Sequence, residues 1–181
     1  MNVKPGTYNL GPSDGTVQVK TGREGMAAKV GHDLTLEASN WKATLTVDAD
    51  ASRNGVTATI EPRSLVVTAA TGGAKPVSEK DKREIAKNIA GLLGNGSITF
   101  TSTSVEAGDA TVQAAGDLSI AGQSRPVTLD LTTTPAGRLT GTMTVVQSEF
   151  GIKPYSAMLG ALKVKDAVEI NLDVLLPTES G

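Results

Sequence analysis

Trp41-Lys42-Ala43-Thr44-Leu45-Thr46-Val47-Asp48 alternates without a break. Trp41, Ala43, Leu45 and Val47 fall on one face of an extended chain, and Lys42, Thr44, Thr46 and Asp48 on the other. The same pattern runs through Val168-Glu169-Ile170-Asn171-Leu172-Asp173-Val174, through Val56–Ile60 and through Leu139–Val145. Period-two alternation is the mark of antiparallel strands with one buried and one wet face. A parallel sheet covered on both sides would read as unbroken apolar runs instead.

Outward from these stretches, further strands are predicted at Thr7–Leu10, Thr16–Thr21, Leu34–Ala38, Ser64–Ala69, Ile98–Ser104, Thr111–Ile120 and Pro126–Thr133. Turn residues separate them at Pro12-Ser13-Asp14-Gly15, Arg53-Asn54-Gly55, Ala107-Gly108-Asp109, Ala121-Gly122-Gln123 and Pro135-Ala136-Gly137. About ten short strands at this spacing indicate a sandwich or a barrel. One segment breaks the period. Ile85, Ile89, Leu92 and Leu93 lie at helical spacing, Ser78 can cap the segment, Glu79 and Asp81 suit its first turn, and Gly94 suits its end. We therefore read one helix over about 78–93. The stripe is expected to dock on the barrel, with Lys80, Asp81, Lys82, Arg83, Glu84 and Lys87 around it facing water. The whole chain, 1–181, reads as one domain with a frayed tail at 177–181.

Composition supports this and excludes several chemistries. The 181 residues include 22 threonines and 20 glycines, which favour strands and turns, and no cysteine. A disulfide scaffold, thiolate metal sites and a cysteine nucleophile are thereby ruled out. Seventeen basic against nineteen acidic residues give a net charge of −2, with no overall pull towards nucleic acid. Only Tyr8, Trp41, Phe100, Phe150 and Tyr155 are aromatic, too few to interleave with basic residues as a base-stacking platform. The start, Met1-Asn2-Val3-Lys4-Pro5-Gly6-Thr7-Tyr8, shows no apolar leader region, and no window is apolar enough for a transmembrane helix. Cytoplasmic location is the expectation; a secreted or periplasmic domain trimmed of its leader reads the same.

Catalytic signals are thin. His32, the one histidine, sits in Gly31-His32-Asp33, with no Gly-x-Ser-x-Gly elbow and no second imidazole. It is read as a loop or strand-end residue bonded to its neighbours, and one imidazole beside one carboxylate does not make a metal shell. Neither metal nor cofactor is expected. Gly91-Leu92-Leu93-Gly94-Asn95-Gly96 closes a helix, whereas a phosphate loop opens one. Asn95-Gly96-Ser97, formally a glycosylation sequon, reads as a turn. The segment from Ser148 to Lys163 is unusually apolar for a connection, with Phe150, Ile152, Tyr155, Met158, Leu159 and Leu162. Either it plugs the core or it lines an opening.

At this segment the chain resembles the YceI-like family of lipocalin-like proteins described as polyisoprenoid-binding. Phe150-Gly151-Ile152 follows a strand, and Met158-Leu159-Gly160 leads to the last one, Val168–Val174. Upstream, Ile98-Thr99-Phe100-Thr101-Ser102 follows the helix, and Gly116-Asp117-Leu118-Ser119-Ile120 is followed by Gly122 and Pro126-Val127. His32 stands where members often carry a histidine. The chain departs from the pattern at Gln147-Ser148-Glu149, where an arginine is common, at Asp81-Lys82-Arg83, and at Ser39-Asn40-Trp41.

The resemblance implies an all-β fold with one helix, an antiparallel lipocalin-like β-barrel, enclosing a pocket for a long apolar chain. Its implied function is non-enzymatic binding, transport or storage of an isoprenoid or other long-chain lipid. Two other readings stand beside it: a stress-associated scaffold with a filled barrel, and an enzyme built around His32. The apolar positions placed on the pocket and its mouth are Trp41, Phe100, Leu129, Met143, Phe150, Ile152, Tyr155, Met158, Leu159 and Leu162. His32, Lys153 and Lys163 are the candidates to meet a headgroup. Gly151 and Gly160 flank the apolar run as possible hinges of a gate. A homodimer is compatible with the family, though no apolar stripe demands one.

Overall fold

The alternating runs form strands in the computed structural model, which describes residues 4–50 and 53–177. In chain order these are β1 (Gly6–Leu10), β2 (Gly15–Thr21), the short β3 (Arg23–Glu24), β4 (His32–Ala38), β5 (Trp41–Val47), β6 (Gly55–Ile60) and β7 (Leu65–Gly72). The helix α1 (Glu79–Leu93) follows. After it come β8 (Ile98–Ala107), β9 (Thr111–Ile120), β10 (Gln123–Thr133), β11 (Arg138–Val146), the short β12 (Ser156–Ala157) and β13 (Leu162–Val164), and β14 (Ala167–Leu175). Of the expected tail, only Pro177 lies within the described residues.

Eleven strands make one antiparallel sheet in the order β1-β5-β6-β8-β9-β10-β11-β14-β2-β4-β7, and β12-β13-β3 make a small second sheet. The large sheet curls into a lipocalin-like barrel because two of its ladders are halves of a single bent hairpin. β4 runs into β5 through Ser39–Asn40, and β6 into β7 through a short 3-10 turn at Pro62–Ser64. Trp41 pairs with Ile60 on one side of the bend and Ala38 with Leu65 on the other. At the corner Ser39 N–H donates to Ser64 O (3.0 Å) and Glu61 N–H to Asn40 O (3.1 Å). The buried Ser64 hydroxyl donates to backbone carbonyls there, so it is not left unsatisfied. The bend brings the two ends of the sheet together, and Leu10 of β1 shares a core cluster with Leu65 of β7. Register shifts at Thr35/Leu36 and Ser102/Ser104 add curvature, as bulges do.

The last strand sits inside the sheet. β14 lies between β11 and β2, pairing Ile170 with Met143 and with Val19. Pairing of β2 with β14 thus joins residues from near the two ends of the chain.

The helix starts at a complete capping box. Ser78 Oγ accepts from the Asp81 N–H (3.2 Å), and the Asp81 carboxylate accepts from the Ser78 N–H (2.9 Å). Ile85, Ile89 and Leu93 pack on the first core cluster, Leu92 and Leu93 on the second, yet no residue of α1 is fully buried. The apolar stripe therefore faces the barrel, against an interior that is not packed solid.

Several strands, β4, β7 and β8 among them, run beyond the bounds read from sequence, and two differences have local reasons. β10 begins at Gln123, because Ala121 (φ 51°) and Gly122 (φ 78°) alone form a two-residue hairpin turn. The Phe150–Leu162 connection is partly ordered as β12 and a 3-10 turn, and β13 then pairs with β3. No helix of the described residues is long and apolar enough to cross a membrane.

Candidate functional site

The sheet and α1 enclose a cavity of about 620 Å³. Alternation along β2, β4 and β14 turns Val19, Leu36 and Ile170 towards it. Ile120 of β9 and Val145 of β11 continue the wall, α1 contributes Ile85, Ile89 and Leu92, and the connection after β11 contributes Ile152, Tyr155 and Leu162. These side chains come from both core clusters, so the cavity lies between them. The lining is mainly aliphatic, which suits a hydrocarbon.

Polar groups gather where lining residues are exposed. Lys75, Asp81, Glu84 and Lys163 mark this mouth, with Val30 and Tyr155 beside them. The Asp81 carboxyl is held below the usual carboxylate range, first by the hydrogen bond to the Ser78 side chain and next by the Ser78 backbone. Arg23 also reaches the cavity, but its guanidinium is engaged: Nη1 donates to Gly31 O (2.6 Å) and Thr71 O (3.0 Å). Its backbone N–H donates to Asp33 Oδ1 (2.9 Å). Arg23 thereby ties β3, β4 and β7 together at one end of the cavity.

His32 opens β4, and its Nε2 donates to the Lys75 carbonyl (2.7 Å) in the loop before α1. That contact needs Gly73, whose φ is +74° and whose absent Cβ would collide with the His32 ring. The neighbouring Gly72 (φ +77°) leaves room for the Arg23 guanidinium in the same way. Among the described residues no three of His, Asp and Glu are grouped to hold a metal ion.

Of the residues picked out from sequence, Ile152, Tyr155, Leu162, His32 and Lys163 meet on the cavity wall. Trp41 lies in the first core cluster, and Phe100 and Phe150 in the second. Leu129 and Met143 pack, half-buried, against the second cluster. Lys153, Met158 and Leu159 are exposed and stand outside the wall. Leu159 is fully exposed, so it does not plug the barrel. Met158 (φ 51°) and Leu159 (φ 54°) both hold left-handed backbone angles, at about 1–2 kcal/mol per residue for non-glycine residues. Sequence reasoning missed the aliphatic wall of β2, β4 and β14, because an alternating residue that faces a cavity looks like one that faces a core. The helix stripe was visible, but as a docking face rather than as a wall.

Comparison with known proteins agrees with this fold. A family model described as YceI-like domain matches residues 8–176. Among solved structures the fold is similar to Burkholderia cenocepacia BcnA, with TM-score 0.63 and 16% identity over 90% of this chain and 96% of that one. It is also similar to the Campylobacter jejuni YceI protein that crystallizes with large solvent channels (TM-score 0.52, 15% identity, 83% and 86% covered). A mutant of that protein with a monobromobimane guest gives TM-score 0.55 at 14% identity, with the same coverage. At these identities the likeness is one of fold. No curated protein matches the sequence.

Proposed function

The chain belongs to the YceI-like family, and from that premise we propose that it binds a long-chain apolar ligand, a polyisoprenoid or related lipid, in the cavity beneath α1. The reading is of a non-enzymatic carrier or store. The observation that carries it is the aliphatic cavity of about 620 Å³. That volume falls within the range typical of small-molecule pockets, roughly 300–1,000 Å³. Each buried methylene contributes about 0.8 kcal/mol, so burying about ten supplies about 8 kcal/mol, near micromolar affinity before ordering costs. Affinity then grows with chain length and needs few polar contacts. Lys163 and Lys75 line the mouth, which supports a role for them in meeting a headgroup left at the opening.

A filled scaffold fits less well, since a barrel packed solid would not leave this space. An enzyme built on His32 also fits less well. While Nε2 donates to the Lys75 carbonyl, that nitrogen cannot accept a substrate proton.

Native mass spectrometry of the protein purified from a lipid-containing host tests the proposal. The expected result is a co-purifying apolar mass that is lost on delipidation and restored by added polyisoprenol. The variant Ile89→Trp, which fills the cavity from the helix side, should stay folded and lose that mass. A wild-type protein that remains empty in several hosts and takes up no polyisoprenol would overturn the carrier reading in favour of the scaffold.

A further inference from the structure

The exposed apolar residues are not scattered. Among the described residues seven large hydrophobics are exposed: Met26, Val30, Val66, Tyr155, Met158, Leu159 and Leu175. Five of the seven belong to one small structure beside the cavity mouth, the sheet β12-β13-β3 and the turn that follows β3. Lys163 pairs with Glu24 and Val164 with Arg23, while Ser156 pairs with Lys163 and Ala157 with Leu162. Beyond β3, the Ala27 N–H donates to Ala161 O (2.9 Å). Met26 thus projects from a segment lying directly alongside the Met158–Ala161 turn. Exposure of Met26 is 96% and of Leu159 109%, the values of side chains that stand free in solvent.

We propose that this tip is a membrane-docking surface, which inserts Met26, Met158 and Leu159 into the interface of an anionic lipid bilayer. Three observations point the same way. The first is the gathering of apolar side chains on a tip, where a monomer surface ordinarily scatters them singly. The second is backbone conformation. Consecutive left-handed angles at Met158 and Leu159 are unfavourable for such side chains, yet the turn keeps both apolar groups in water. The third is charge. Residues 24–30 and 153–165 carry Lys29, Lys153, Lys163 and Lys165 against Glu24 alone, in a chain of net charge −2. All four lysines are exposed. Apolar residues flanked by lysines are what an anionic interface binds, since the tails enter the acyl boundary and the ammonium groups meet lipid phosphates.

The tip is continuous with the cavity: Val30, Tyr155, Leu162 and Lys163 belong to both. Docking would set the mouth against the bilayer, so that an apolar chain passes between membrane and cavity without crossing water. This last step rests on the lipid-carrier reading, whereas docking itself does not.

Flotation of the full chain with large unilamellar vesicles tests it. The expected result is co-flotation with phosphatidylcholine–phosphatidylglycerol vesicles, weaker with phosphatidylcholine alone and weakened by salt. Leu159→Asp should reduce the bound fraction at least tenfold with an unchanged melting temperature, because the side chain is free in solvent. Val66→Asp, at an exposed valine of β7, should leave flotation unaltered. The proposal is overturned if the wild-type chain does not float, if Leu159→Asp floats as well as wild type, or if Val66→Asp is equally impaired. It is also overturned if Leu159→Asp dissociates a dimer while the wild type ignores vesicles, which would make the tip an interface between copies. Uptake of water-dispersed farnesol, measured without vesicles, separates the two readings. Wild type and Leu159→Asp should take it up alike. Flotation without any uptake would leave docking standing and remove the carrier.

Discussion

His32 Nε2 lies 2.7 Å from the Lys75 carbonyl oxygen, so the first residue of β4 fastens the loop that leads into α1. The one imidazole of the chain acts here as a strut. His32→Ala should cost about 1 kcal/mol, the net worth of one hydrogen bond. Amide exchange at 73–75 and 77 should speed up, while polyisoprenol binding stays within about tenfold of wild type, a difference of about 1.4 kcal/mol. Loss of a measurable turnover on this substitution would restore the enzyme reading.

Two glycines should respond oppositely to the same change. Gly73→Ala forces a Cβ into the His32 ring at a left-handed φ, and should destabilise by more than about 1 kcal/mol. Gly91 lies within α1 with nothing near its absent Cβ, so Gly91→Ala should stabilise by about 0.5–1 kcal/mol. Urea denaturation of the pair checks both signs at once.

The helix stripe faces the barrel across the cavity. Ile89→Asp places a carboxylate among aliphatic groups with no partner, and should cost about 1–3 kcal/mol. Bound polyisoprenol should fall in parallel. Unchanged thermal stability together with dissociation of an oligomer would show that the stripe serves a partner instead.

Acid should loosen the start of α1. The Asp81 carboxyl is held low by the Ser78 hydroxyl, then by the Ser78 backbone. A carboxyl lowered in the folded state contributes stability that is present above its unfolded pKa of about 3.9 and is lost as pH falls through the folded value. The Ser78 amide should therefore exchange faster, after correction for intrinsic rates, only as pH drops below about 4. In Asp81→Asn that acid step should vanish; if it persists unchanged, the capping box is not its source.

Trp41 is buried, and among the described residues its Nε1–H has no hydrogen-bond partner. An unmet donor costs about 1–3 kcal/mol, which offsets part of what the large ring contributes by packing. Trp41→Phe should thus change stability by less than about 1 kcal/mol, whereas Trp41→Ala should lose about 3–5 kcal/mol. A severe loss in Trp41→Phe would mean that the indole N–H is satisfied in solution.

Much of the architecture was legible, for physical reasons particular to certain segments. Alternation in residues 41–48 and 168–174 reports burial directly, because a strand turns every second side chain inward. Ser78, Asp81 and Gly94 mark the helix ends by chemistry local to them. The bend at Ser39–Asn40 and Glu61–Ser64 was not legible, since it depends on hydrogen bonds between segments far apart in sequence. The site was read less fully for a related reason. Apolarity in residues 150–162 signals that something lies against the segment, but not which side chains turn inward. Ile152 and Leu162 line the cavity, Phe150 enters the core, and Leu159 points to water. Left-handed angles at Gly151, between Phe150 and Ile152, and at Met158 and Leu159 shape the segment, and the last two residue types do not announce them.

The place of β14 between β11 and β2 has a bearing on biosynthesis. Residues 15–20 gain their β14 partners only when 169–174 have been made, although 18–20 already pair with 35–37 of β4. A ribosome holds the newest stretch of a nascent chain in its exit tunnel, so the barrel cannot close until residues 169–174 have left it. Up to that moment β2 and β11 each lack a neighbour, and such unpaired edges recruit other chains. Non-local closure of this kind is also slow, because a large loop must be ordered before any contact compensates it. Loss of the final strand through a premature stop would therefore leave two open edges around an exposed apolar interior, and the product should aggregate rather than persist as a shortened barrel.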